Sequence, residues 1–223
     1  MLKNKKTYYQ LILDKSGSMN ASIKSTISAF NEQIEMIMAL SEKHADQEFF
    51  VSLTTFNHER SVDVDREHPS NVRKLCRRRS LFSDNYSVLY QPTGMTALYD
   101  AIGSSIVHLQ NSIGEEIKND LATVVVVIIT DGYENSSRVY SYDQISEMIK
   151  ELESTENWVF TYLSETPDAV EYAASMNIKR SNAVMTNMTN LHEDFDDLMD
   201  SLDHYAVKKS QSKKEWLLKS RRK

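Results

Sequence analysis

Leu11-Ile12-Leu13-Asp14-Lys15-Ser16-Gly17-Ser18-Met19 halts an apolar run at an aspartate, then sets two hydroxyls at alternate positions around a glycine. The residues leading to Asp14 are rich in Tyr, Ile and Leu, which predicts a strand over 7–13 buried on both faces. Asp14, Ser16 and Ser18 are short oxygen donors, and Gly17 lets the segment curl tightly. Hard cations such as Mg²⁺ take oxygen donors of this kind. Three donors are too few to hold such an ion, so other strand ends must supply the rest.

Beyond Met19, Ile23, Ile27, Phe30, Ile34, Ile37 and Met38 recur at helical spacing, with Asn20 placed to cap the helix. Residues 47–56 alternate as a second strand, and Asn57-His58-Glu59-Arg60 reads as a turn into a short strand over 61–65. That pair predicts an antiparallel hairpin at a sheet edge. A short helix is expected around 71–76, followed by irregular or extended chain through 79–90. Thr93-Gly94-Met95-Thr96 forms a loop before a helix over 97–117, whose one face carries Leu98, Ala101, Ile102, Ser105, Ile106 and Leu109.

Six consecutive Val and Ile residues at 124–129 are too few for a buried helix and β-branched throughout, so 121–130 is a strand. It too stops at an aspartate, Asp131. A helix over 142–154, a strand over 158–163, a short helix over 168–176 behind Pro167 and a strand over 182–185 follow. Thr189 caps a last helix with Leu191, Phe195, Leu198, Met199, Leu202 and Tyr205 on one stripe. Strands and helices alternate with connections long enough for crossovers. This is the pattern of an α/β fold with a mostly parallel, doubly wound sheet and helices on both faces.

In such sheets ligands sit beyond the carboxyl ends of the strands, where the strand order reverses. Asp14 and Asp131 both stand at such ends, and the loop carrying Thr96 can reach the same rim. Five oxygens, from Asp14, Ser16, Ser18, Thr96 and Asp131, then form one candidate metal site. An N-terminal cap and turn cluster is the bland reading of Asp-x-Ser-x-Ser.

With these residues in place, the chain resembles a von Willebrand factor type A domain with a metal-ion-dependent adhesion site. The Asp-x-Ser-x-Ser element is Asp14-Lys15-Ser16-Gly17-Ser18, the separate threonine is Thr96 in TGMTALYDAI, and the last aspartate is Asp131 in IITDG. The likeness spans about 7–205. It implies a Rossmann-like sheet with one short antiparallel edge strand, and Mg²⁺ or Mn²⁺ held directly by Ser16, Ser18 and often Thr96, with the aspartates acting partly through water. It also implies a protein partner whose Asp or Glu carboxylate completes the coordination, and a stand-alone intracellular protein of bacterial or phage type. A purely structural metal site is the alternative within the same resemblance.

Composition agrees with a soluble globular chain: of 223 residues 40% are hydrophobic and 26% charged, with 5 Gly and 3 Pro. The single cysteine, Cys76, excludes an internal disulfide and, with the absence of a secretory apolar region behind Lys3, Lys5 and Lys6, leads us to expect a cytoplasmic protein. No apolar run approaches the ~20 residues of a membrane span. The net charge is −6, yet 208–223 hold eight Lys and Arg against one Glu, leaving −13 on 1–207. We therefore expect a domain over 1–207 and a basic tail or helix extension over 208–223. That tail is either a solvated terminus or a contact for an acidic protein surface, anionic lipid or nucleic acid, with nucleic acid not the expected partner of the chain.

An enzyme is not expected. There is no Gly-x-Ser-x-Gly elbow and no phosphate-binding glycine loop. The position two after Asp14 is Ser16, where dehalogenase-type phosphatases need a second carboxylate. His44, His58, His68, His108, His192 and His204 lack ligand spacing. Asp194, Asp196 and Asp197 fall on the polar face of the expected last helix. Metal-assisted hydrolysis at Asp14 is the alternative function.

Overall fold

A computed structural model of the chain describes residues 5–77 and 87–186. The expected last helix from Leu191 to Tyr205 and the basic tail over 208–223 lie outside the described residues. Strands β1 (Lys5–Asp14), β2 (Gln47–Phe56), β3 (Arg60–Glu67), β6 (Ala122–Thr130), β7 (Trp158–Ser164) and β8 (Ala183–Met185) form one sheet in the order β3-β2-β1-β6-β7-β8. All neighbours pair in parallel except β3, which runs antiparallel to β2 at the edge. The expected hairpin and edge strand are therefore present.

Between the strands run α1 (Ile23–Lys43), α2 (Leu98–Lys118), α3 (Tyr142–Ser154) and α4 (Ala169–Ser175). The alternation of side chains along each strand divides the apolar core into two layers. Tyr9, Leu11, Leu13, Val125, Val127 and Ile129 pack with Phe30, Ile34 and Ile37 of α1 on one face. Tyr8, Ile12, Val124, Val126 and Ile128 pack with α2, α3 and α4 on the other. All nine residues of β6 are buried, which is why its sequence reads as an unbroken apolar run rather than an alternation. No described helix is long and apolar enough to cross a membrane.

Two local expectations are corrected. Asn20 does not cap α1: a 3-10 turn (Gly17–Ser22) comes first, and the side-chain amide of Asn20 donates to the carbonyls of Gly17 and Pro92 at 2.9 and 3.0 Å. Its local preference for a cap yields to a tie across 72 residues. The helix expected around 71–76 is absent as well. A 3-10 turn (Pro69–Asn71) is followed by β4 (Leu75–Cys76), which pairs in parallel with β5 (Val88–Leu89) in a separate two-stranded sheet. Leu75 is buried against the α1 layer, and the side chain of Asn31 bonds both its N–H and its carbonyl. Tertiary burial thus decides a segment with weak local preference.

Candidate metal centre

β1 and β6 lie side by side at the middle of the sheet, and their chain continues into helices on opposite faces. The reversal of strand order falls between them, so Asp14 and Asp131 flank one crevice. Asp14 is 0% exposed. Its Oδ1 accepts from the Ser16 N–H at 2.6 Å, and its Oδ2 accepts from the Thr130 hydroxyl at 2.6 Å. The Tyr90 hydroxyl, also buried, donates to the Asp14 carbonyl at 2.6 Å. The first two bonds orient the carboxylate, and the Tyr90 bond holds the main chain that carries it.

A run of oxygens continues from there across the rim. Ser16 Oγ and Ser18 Oγ stand 3.1 Å apart, and the Ser18 hydroxyl donates to Asp131 Oδ1 at 2.7 Å. Oxygens bound octahedrally to Mg²⁺ at about 2.0–2.1 Å are about 2.9 Å from their neighbours, so this spacing matches one edge of such a shell. Thr96 is buried next to it. The loop before Thr96 is fastened to the Asp14 loop by Gly17 N–H donating to the Gly94 carbonyl at 2.9 Å and Thr93 N–H donating to the Lys15 carbonyl at 2.8 Å. Gly94 has φ +80° and packs against the His58 ring, a position that no side chain could share. Asn135 Oδ1 accepts the Thr96 N–H at 2.9 Å, while the Thr96 carbonyl accepts from Asn135 and Ser136. Its hydroxyl makes no hydrogen bond among the described residues and is not sealed from solvent, which leaves that oxygen available.

The electrostatics point the same way. Burial pushes the Asp14 carboxyl up to about 6; the bonds from Thr130 and Ser16 oppose the shift, and the charge of Asp131 adds to it. Asp131 is raised as well, chiefly by burial, against the Ser18 bond and with the charge of Glu165. Two carboxylates withdrawn from water within one rim favour a proton or a cation between them. The donor set therefore fits a hard divalent ion. Among the described residues there is no cluster of three His, Cys, Asp or Glu side chains suited to a metal, so hydroxyls must carry the site. A cleft of about 880 Å³ runs beside β3 instead. Its carboxylates are engaged: Asp63 accepts from Thr55 and Ser61, and Asp65 from Arg66 and His108.

All five expected site residues thus stand on one rim, with Asp14, Ser16, Ser18 and Asp131 linked directly and Thr96 held beside them by its main chain. Thr130, Tyr90, Asn57 and Asn135 were not foreseen. Asn57 bridges loops through its amide to the Thr93 carbonyl at 2.7 Å. Thr130 alone left a signal, as a hydroxyl at the end of an apolar strand. The other three act across 36 to 76 residues, beyond any local pattern.

A scan of protein-family models gives no match, and no curated protein matches the sequence. Solved structures do match the fold. The von Willebrand factor type A structure from Catenulispora acidiphila is 15% identical at a TM-score of 0.54, over 87% of this chain and 42% of that one. Proximal thread matrix protein 1 from the mussel byssus is 14% identical at 0.56, over 86% and 45%. The PilB minor pilin from Streptococcus sanguinis is 12% identical at 0.54, over 91% and 62%. This chain spans between 42% and 62% of the length of those three. Identities this low speak for the fold alone. The chain is a doubly wound α/β domain with its candidate site at the switch point, and its fold is that of von Willebrand factor type A domains.

Proposed function

We propose that this chain is a cytoplasmic, Mg²⁺- or Mn²⁺-dependent protein-binding module and not an enzyme. Ser16, Ser18 and Thr96 would hold the ion through neutral hydroxyls, with Asp14 and Asp131 behind them. When bound, the ion supplies a Lewis-acidic seat for a carboxylate from a partner protein. The observation that carries this reading is the Ser16–Ser18–Asp131 oxygen run over the buried Asp14. Hydroxyls neutralise none of a cation's charge, so an ion held directly by Ser16, Ser18 and Thr96, with the aspartates behind them, would retain attraction for a further carboxylate. No histidine or cysteine belongs to the proposed donor set.

The test is a pull-down with the full chain in Mg²⁺ and in EDTA, paired with calorimetric Mg²⁺ titration. The wild type should bind Mg²⁺ and retain a partner that EDTA releases, and Asp14→Ala should do neither. Retention unchanged in EDTA would sink the proposal.

A further inference from the structure

The rim around the donors carries two large exposed side chains that lie outside the apolar core. Met95 is 52% exposed and precedes Thr96; Tyr133 is 46% exposed and follows Asp131 by two residues. They sit on opposite sides of the donor set. The Met95 loop is fastened to the end of β2, through Ala97 N–H donating to the Asn57 carbonyl at 2.7 Å and the Asn57 amide donating to Thr93. Tyr133 leans toward the end of β7. Its hydroxyl donates to Asp168 at 2.5 Å, and its ring meets Tyr172 of α4 edge-on at 5.7 Å. Asp14 on β1 and Asp131 on β6 lie between. Met and Tyr are side chains enriched at protein interfaces, and here they flank a polar centre.

We infer that the partner presents an extended segment of the pattern apolar-x-acid-x-apolar, its carboxylate over the Asp14–Asp131 crevice and its two apolar side chains on Met95 and Tyr133. This rests on the carboxylate-capture reading above. The spacing supports it. From β2 to β7 there are three strand intervals, about 14 Å at about 4.8 Å each. In an extended chain, residues two before and two after a central one point to the same side and span about 13 Å at about 3.3 Å per residue. A helix of the same five residues covers only about 6 Å and turns its side chains apart. The extended segment matches the span and the helix does not. Charge also agrees: Glu165 and Asp168 beyond Tyr133 disfavour further acids on that side, which leaves apolar contact as the means of adding affinity.

The test uses phage-displayed nine-residue peptides with a fixed central Glu and random flanks, selected on the full chain in Mg²⁺ and in EDTA. Leu, Ile, Met or Phe should be enriched at −2 and +2 in Mg²⁺ only. Truncating either apolar residue in a selected peptide should weaken binding about tenfold. Met95→Ser should erase the preference at one of the two positions, and Tyr133→Ser at the other. Tyr133→Phe, which keeps the ring, should retain both. Mg²⁺-dependent selection without apolar bias at these positions, or with the same bias on both Ser variants, would overturn the inference and leave carboxylate capture standing. Selection that is the same in Mg²⁺ and EDTA would overturn both.

Discussion

Asp14 is buried, faces a second carboxylate across the crevice, and is compensated by the Thr130 hydroxyl and by the N–H and side chain of Ser16. Folding raises its pKa from 3.8 to about 6. Its contribution to stability is therefore fully present below about 4 and is lost as pH rises through about 6. At pH 8 without metal the ionised side chain opposes folding by up to about 3 kcal/mol. Asp14→Asn keeps the acceptor for Ser16 and removes the charge. In EDTA at pH 8 it should match or exceed the wild type in urea denaturation, and the advantage should vanish near pH 4. In Mg²⁺ the order should reverse, because only the aspartate gains from the ion. A variant less stable than the wild type in EDTA at both pH values would show that Asp14 is structural rather than poised for a cation.

At the scale of elements, the site depends on how the N-terminus of α2 is held. The Asp100 carboxylate accepts the N–H groups of Arg138, Val139 and Tyr140 at 2.9 Å. Glu134 accepts from Ser136, Ser137 and Tyr99. Together they staple the chain after Asp131 onto the helix that follows Thr96, so the two donor loops move as one. Gly103 makes the fit possible: a Cβ there would stand 2.6 Å from the Tyr140 ring. Gly103→Ala gains about 1 kcal/mol of helix preference, yet the displaced ring should cost more, for a net loss of about 1–2 kcal/mol in chemical denaturation. Mg²⁺ affinity should also fall severalfold by calorimetry, although no donor is touched. An alanine variant with added stability and unchanged affinity would show that this staple does not hold the site. The same scale explains the two local corrections. Asn20 and the segment over 71–76 are ruled by partners 44 to 72 residues away, which no window of neighbouring residues contains.

For the whole molecule, a site assembled from three separate loops would make ion binding a property of the folded state alone. At free Mg²⁺ about 100 times its dissociation constant the chain should gain about 2.7 kcal/mol, or about 5–10 °C in melting temperature. The gain should be absent in Asp14→Ala, and a flat melting curve across Mg²⁺ concentrations would argue against a site on this rim. Much of this architecture was legible beforehand. The β-branched run of β6, the stop at Asp14 and the helical stripes of α1 and α2 are local patterns, set by periodicity and burial within one element. Asp14 and Asp131 could be placed on one rim because parallel strands must all end at the same side. What no local pattern contained was the contact order among loops. Tyr90 under Asp14, Asn57 bridging to Thr93, and Asn135 on Thr96 exist only once the sheet order β2-β1-β6-β7 brings their loops together. The sequence by itself determined most of the elements and the sheet class, and singled out the five candidate donors, since these follow from residue type and spacing. Tertiary structure alone decided how the donors are spaced, which carboxylate is buried and which side chains flank the rim. Those depend on distances between segments far apart in the chain, and only packing sets them.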